Sequence, residues 1–249
     1  VTKINPNNIC HLAIYGGYPS QNEDEKILKT NLNGTINLLS ALEGIDYDCF
    51  INTGSSSEYG KKEFIMKETD ICEPNTVYGI AKLSSTLYCN HISAKENKNI
   101  GTIRLFSVYG DYEEKGRLIP TLFINLLNGE NVKLGNPAAV RDFVYIDDVV
   151  EAYISILKNP EKIKGKIFNI SSGNQISIGE ISEKVKSILN SSCFLDFGNL
   201  SGRTFDSTTW LGDSSLFRET FNWTPKKIDE GLKKSAEWFS KNLNLYKEV

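Results

Sequence analysis

Residues 52–82 read NTGSSSEYGKKEFIMKETDICEPNTVYGIAK. The apolar run Cys49-Phe50-Ile51 leading into this stretch predicts a strand, and three consecutive hydroxyls, Ser55, Ser56 and Ser57, stand at its exit. A connection containing Pro74 then leads into a predicted helix whose first turns carry Tyr78 and, four residues on, Lys82. Positions i and i+4 lie one above the other on a helix, so the phenol and the ammonium share one face.

That pairing has a chemical use. A tyrosine with its ordinary pKa of about 10 is a poor base at neutral pH, but a fixed positive charge beside it favours the phenolate. A serine hydroxyl at the same place can hold a substrate oxygen during proton transfer. Tyr78, Lys82 and Ser55 are therefore candidate catalytic residues for proton exchange at a carbinol or carbonyl. The spacing alone is weak, because eleven tyrosines in this lysine-rich chain give about one Tyr-x-x-x-Lys match by chance. The other reading has Tyr78 covering core and Lys82 snorkelling.

The surroundings favour the chemical reading. GSSSEYG (54–60), EPNTVYGIAK (73–82) and RLFSVYG (104–110) together resemble the NAD-dependent epimerase/dehydratase family, the extended short-chain dehydrogenase/reductases that act on nucleotide sugars. The resemblance runs along essentially the whole chain. It implies an α/β fold, a Rossmann-like doubly wound parallel sheet that is N-terminally incomplete, with a smaller α/β substrate domain. Residues 1–112 and 140–171 fall to the nucleotide-binding domain, and 113–139 and 172–249 to the substrate domain.

The residues themselves give the same alternation. Ile9 to Ile14 reads as a short strand, Asn22 to Leu42 as a helix with Glu23, Asp24 and Glu25 in its first turn, and Gly101 to Phe106 as another strand. Strand, helix and strand units of this length argue for a parallel sheet with covering helices, whose ligands sit at the carboxyl ends of the strands. Asp111 to Gly116 is charged and turn-like, and reads as the crossing into the smaller domain. Leu118 to Leu127 is a predicted helix, Lys166 to Ile170 a strand returning to the main sheet, and Ser177-Ile178-Gly179-Glu180 a capping box. Trp223 and Trp238 read as packing residues.

The family begins with a strand and a glycine-rich turn ahead of the strand that Ile9 to Ile14 resembles. Gly16-Gly17, followed by Tyr18-Pro19, does not open a helix as a dinucleotide fingerprint requires. The expectation is a form shortened at the N-terminus by about 60 residues, or two βα units. The alternative is a naturally short protein with a rebuilt sheet edge.

The resemblance also implies site residues. For the cofactor, NAD or NADP, these are Ala13, Asn31, Thr53, Tyr78, Lys82 and Phe106. For a nucleotide-diphosphate sugar they are Ser56, Ser107, Arg117, Arg141, Arg203 and Asp206. Arg suits bidentate contact with phosphate, which supports Arg141 of the RDF run, although an Arg-Asp pair at a strand start is also a common surface ion pair. Asn31 likewise reads equally well as an exposed helical residue.

The reaction implied is epimerisation of the UDP-glucose 4-epimerase kind, with 4-ketoreduction next to it. A 4,6-dehydratase carries an acidic pair after its active-site Thr, where this chain has Ser56 and Ser57; a hydroxyl lacks the pKa for that work. A non-catalytic binding remnant is the alternative from another class. A homodimer through the helices of Asn22 to Leu42 and Asn75 to Lys95 is the family's usual arrangement.

Composition narrows the rest. A net charge of −3 without a basic run argues against nucleic acid as a partner. No apolar run reaches the length of a membrane helix. Five scattered cysteines suit reduced thiols in the cytoplasm. His11 and His91 have no metal-ligand spacing, so no metal is expected.

Overall fold

A computed structural model describes residues 3–18, 20–198 and 208–246. Its strands are β1 (Asn8–His11), β2 (Cys49–Ser55), β3 (Ile100–Leu105), β4 (Ser107–Tyr109), β5 (Val132–Leu134), β6 (Val140–Tyr145), β7 (Ile167–Ile170), β8 (Gln175–Ser177) and β9 (Leu195–Phe197). The α-helices are α1 (Asp24–Leu28), α2 (Gly34–Ala41), α3 (Val77–Glu96), α4 (Leu118–Leu127), α5 (Ile146–Lys158), α6 (Ile178–Ile188), α7 (Ser215–Phe221) and α8 (Ile228–Asn242).

The main sheet runs β1-β2-β3-β7, parallel throughout. Parallel strands covered on both faces need apolar residues on both, and β2 and β3 supply them. On one face Cys49, Ile51, Ile103 and Phe168 pack with Val149, Ala152 and Ile156 of α5. On the other, Phe50 and Ile100 pack with Leu39 of α2 and with Cys89 and Ile92 of α3. Successive residues of β2 thus feed opposite layers, the period of two that a pleated strand imposes. This is the doubly wound α/β arrangement that the sequence predicts.

β1 is shorter than expected. Its pairing with β2 stops at His11 opposite Asn52, and Leu12 and Ile14 are exposed. Among the described residues it is an edge strand, hydrogen-bonded to β2. The predicted helix over 22–42 is also interrupted: a π turn, Lys29–Asn33, separates α1 from α2.

A second core lies beside the sheet, where α4, α6 and α8 enclose Phe123, Val185, Leu232 and Phe239 with Leu134 and Phe143. The rings of Phe123 and Phe239 stack with centroids 5.0 Å apart. The chain enters this region early. At Phe106 it leaves the main sheet, and β4 pairs with β6, which in turn pairs antiparallel with β8. This three-stranded sheet therefore takes β4 and β6 from stretches expected in the first domain and β8 from the second. β7 then returns to the main sheet beside β3, as expected of Lys166 to Ile170.

Trp223 is buried, donates through Nε1 to the Asp148 carbonyl at 2.9 Å, and meets Phe217 edge-on. Trp238 packs edge-on against Phe239. Both indoles are packing residues.

Candidate active site

Ser55 ends β2 and begins a tight turn. Its Oγ accepts from the Ser57 N–H at 3.1 Å, while the Glu58 carboxylate reaches back to accept from the Ser55 N–H at 2.9 Å, a capping-box arrangement on the short 3₁₀ turn Ser56–Glu58. Ser56 is buried in this turn. The chain then loops out and returns to α3, whose N-cap Thr76 accepts from the Gly79 N–H at 3.0 Å.

Gly79 decides how closely the two segments approach. A Cβ there would lie 2.5 Å from the Ser57 carbonyl oxygen and 3.0 Å from Pro74 Cβ. The first turn of α3 therefore seats directly on the serine turn, and this contact brings the Tyr78 phenol under the influence of the Ser55 hydroxyl. Gly79→Ala should push α3 away from the turn. Overpacking of this kind costs about 1–3 kcal/mol, and urea unfolding should show that loss together with reduced turnover.

Lys82 lies one helical turn beyond Tyr78, 6.0 Å from the ring centroid and almost fully buried. Its Nζ donates to the Thr53 carbonyl of β2 at 2.8 Å. Burial pulls its pKa down to about 8, against the attraction of Glu58. Burial also pushes the Tyr78 phenol up to about 12; the Ser55 hydrogen bond works the other way, Glu58 adds to the rise and Arg117 opposes it. The sequence led us to expect a phenol lowered by Lys82. Here the ammonium is turned toward the strand carbonyl, and burial dominates.

Around this centre the other predicted residues fall as follows. Thr53 is hydrogen-bonded through its hydroxyl to Tyr153 of α5. Ala13 is exposed just beyond β1. Asn31 is buried in the π turn rather than exposed; its Nδ2 donates to the carbonyls of Tyr15 (2.6 Å) and Ile27 (2.8 Å). It thereby ties the helix to the segment after β1. π turns of this kind are frequent at functional sites.

Phe106 is buried against Tyr59 and Met66, and Ser107 follows it as the first residue of β4. Arg117, the N-cap of α4, donates to the Gly17 carbonyl at 3.2 Å, faces Glu113 at 3.5 Å and lies over the Tyr18 ring. Its charge acts on the Tyr78 phenol, favouring the phenolate. Arg141 on β6 donates to the Val140 carbonyl and stands 5.7 Å from the Trp210 ring. Arg203 and Asp206 lie outside the described residues.

Three contributors, His11, Glu58 and Tyr18, escape sequence reasoning. His11 is hydrogen-bonded to Thr35 Oγ1 at 2.9 Å, and Thr35 donates to the Asn31 carbonyl, so β1 is pinned to the π turn through side chains 24 residues apart. Glu58 pairs with Arg104 of β3, Nε to Oε2 at 2.8 Å, with both groups buried. Tyr18 and Glu58 both act on the Tyr78 phenol; Ser55-x-x-Glu58 has the spacing of a capping box, but that spacing does not reveal the link to the phenol.

Residues 1–171 match the NAD dependent epimerase/dehydratase family. The chain belongs to that family. Its relatives include a UDP-glucuronate 4-epimerase of Thermodesulfobacterium geofontis, 26% identical over 97% of this chain and 75% of the relative. Among solved structures, the UDP-glucose 4-epimerase of Thermotoga maritima with UDP-glucose is 28% identical, with a TM-score of 0.86 over 96% of this chain and 78% of that one. The UDP-glucuronic acid 4-epimerase of Bacillus cereus, in complex with UDP-glucuronic acid and NAD, gives 0.86 at 26% identity over 94% and 76%.

Epimerases and dehydratases of this family are NAD-dependent, and the buried lysine fits such a cofactor. An ammonium has three N–H donors, and among the described residues Lys82 gives one, to Thr53 O. The remaining two are suited to ribose hydroxyls at the carboxyl end of the sheet, where doubly wound folds hold nucleotides. No helix among the described residues is long and apolar enough to cross a membrane.

Proposed function

We propose that the protein interconverts a nucleotide-diphosphate sugar and its 4-epimer, with Tyr78 moving the proton of the sugar hydroxyl. The convergence of Tyr78, Ser55 and Lys82 at the carboxyl end of β2 carries this reading, and the 4-epimerase relatives support it. NAD, when bound, supplies the acceptor and later the donor of the hydride. Ser55 steadies the substrate oxygen, and Tyr78 takes its proton and returns it. Lys82 holds the ribose and offers the phenol the positive charge that burial in the free protein outweighs.

Thr53, Ala13, Asn31 and Phe106 are the further proposed cofactor contacts. Arg141 is proposed for the diphosphate, with Arg203 and Asp206, and Arg117, Ser107 and Ser56 for the sugar side. A homodimer fits Ile80 and Leu87, exposed apolar residues seven apart on α3, and Leu28 on α1. Five free cysteines suit a cytoplasmic protein.

The same three residues serve a 4-ketoreductase, so the experiment separates the two. The protein is incubated with NAD and UDP-glucose or UDP-glucuronate, and separately with NADPH or NADH and a 4-keto nucleotide sugar. Formation of the 4-epimer without net cofactor reduction is the expected result. Stoichiometric consumption of reduced cofactor would make it a reductase. Neither conversion nor cofactor turnover, with weak binding on NAD titration, would leave a binding protein.

A further inference from the structure

Glu58 stands in an unusual position for a carboxylate. It is fully buried at the exit of β2, and its counter-charge is the equally buried Arg104. Taking two charges out of water costs several kcal/mol per ion, and well-packed apolar residues often do as well or better for stability alone. The pair therefore calls for a reason beyond holding the fold.

Its geometry supplies one. Gly54 lies directly opposite Arg104 in the β2-β3 register, and a Cβ on Gly54 would sit 2.5 Å from Glu58 Oε1. The missing side chain leaves room for the carboxylate to fold back beneath the strand. There Oε1 accepts from the Ser55 N–H and Oε2 from Arg104 Nε. The guanidinium in turn lies 4.5 Å from the Tyr59 ring, and the Tyr59 hydroxyl donates to Asn169 Oδ1 of β7 at 2.8 Å. Three strand ends are thus tied together at the residue that meets the Tyr78 phenol.

Among the described residues Arg104 Nη1 is buried without a hydrogen-bond partner, which makes the guanidinium depend the more on Glu58. From these contacts we infer that Glu58 is a positioning residue, fixing the backbone at Ser55 so that its hydroxyl is held at Tyr78, with Arg104 as its buried counter-charge. The inference rests on the proton-transfer role proposed above for Ser55 and Tyr78.

The first arm of the test removes both charges together, so that neither is left buried alone. E58L/R104M is measured beside S55A and the triple variant, with thermal melting to show that each is folded. Displacement of a reacting group by an ångström can cost about 10²-fold; turnover should fall by about tenfold or more, with KM for the nucleotide sugar within about twofold. In the S55A background the same pair of changes should cost less than about twofold, because residues acting as a unit are not additive. An equal loss in both backgrounds, or parental turnover in E58L/R104M, overturns the inference.

The second arm needs no substrate. Among the described residues, the groups that act on the Tyr78 phenol include Ser55 and Glu58 from the strand exit, Arg117 from α4 and Tyr18 from the segment after β1, and Lys82 stands 6.0 Å from the ring centroid on the same helix. Glu58→Gln keeps an acceptor for Ser55 N and removes the negative charge, leaving Arg104 positive. In protein carrying ¹³C-labelled tyrosine, with the resonance assigned through Y78F, the phenol should titrate at lower pH than in the parent. An unmoved titration overturns the coupling of Glu58 to the site. A lowered titration in a protein that converts no nucleotide sugar sinks the proposed function and leaves the tie between Glu58 and Tyr78 standing.

Discussion

Tyr78→Phe is expected to lower turnover of the nucleotide sugar by about 10²- to 10⁴-fold, the range contributed by a positioned proton-transfer group. Phenylalanine keeps the ring and its seat on the first turn of α3, so the serine turn and the helix should stay together. What is lost is the hydroxyl on which Ser55 acts. The loss should lie in kcat, with the affinities for NAD and for the sugar nearly unchanged. A drop smaller than about tenfold would take proton transfer away from Tyr78. Single-turnover measurement with the hydride step observed directly is the cleanest check, because product release cannot mask it.

The second large effect is on stability and runs the opposite way. Lys82 is 4% exposed and its pKa is pulled down to about 8 by burial, whereas an unfolded lysine titrates at about 10.4. Below pH 8 the folded protein carries the whole cost of a buried ammonium. Between those two values the unfolded chain binds more protons than the folded one, so stability rises with pH, and above them the cost is gone.

Lys82→Met should therefore stabilise the protein at neutral pH by about 2 kcal/mol, once about 1 kcal/mol for the lost bond to Thr53 O is set against a gain of about 3. The advantage should shrink as the pH rises through 8 toward 10.5. Urea unfolding at neutral pH and again near the upper limit tests both the sign and the trend. A variant less stable than the parent at neutral pH would mean that the ammonium is better satisfied than its contact with the Thr53 carbonyl indicates. Conversely, a stabilised but inactive variant is the trade-off expected where a site retains an unfavourable group for its chemistry.

The elements that sequence reasoning located are those whose signals are local. β2, α3, α4 and the capping box at Ser177 all rest on residues within a few positions of one another, and each stands where its pattern places it. The meeting of Ser55 with Tyr78 was legible too, because motif and helix spacing pointed the same way. What stayed hidden depends on partners distant in sequence. Glu58 looks like a solvated charge until Arg104, 46 residues on, is seen to face it. Asn31 reads equally as exposed because the Tyr15 carbonyl that holds it comes from another segment. The pairing of β4 with β6 rather than with the main sheet is set by tertiary packing around Phe106 and Phe143, for which a three-residue strand carries no local mark.

The parallel contact of β3 with β7 joins Thr102–Leu105 to Ile167–Ile170 across an excursion that builds β4, α4, β5, β6 and α5. Closing so long a loop is entropically slow, and contacts of this separation set the pace of folding. During synthesis the chain can assemble β1, β2, α3 and β3 first, bringing Ser55, Tyr78 and Lys82 close together before β7 supplies Asn169 to the tie at Tyr59. The proposed proton-transfer residues therefore all come from strands and a helix made before β7. Arg141 arrives with the later half, so the phosphate-side wall of the proposed pocket is laid against a floor that is already built.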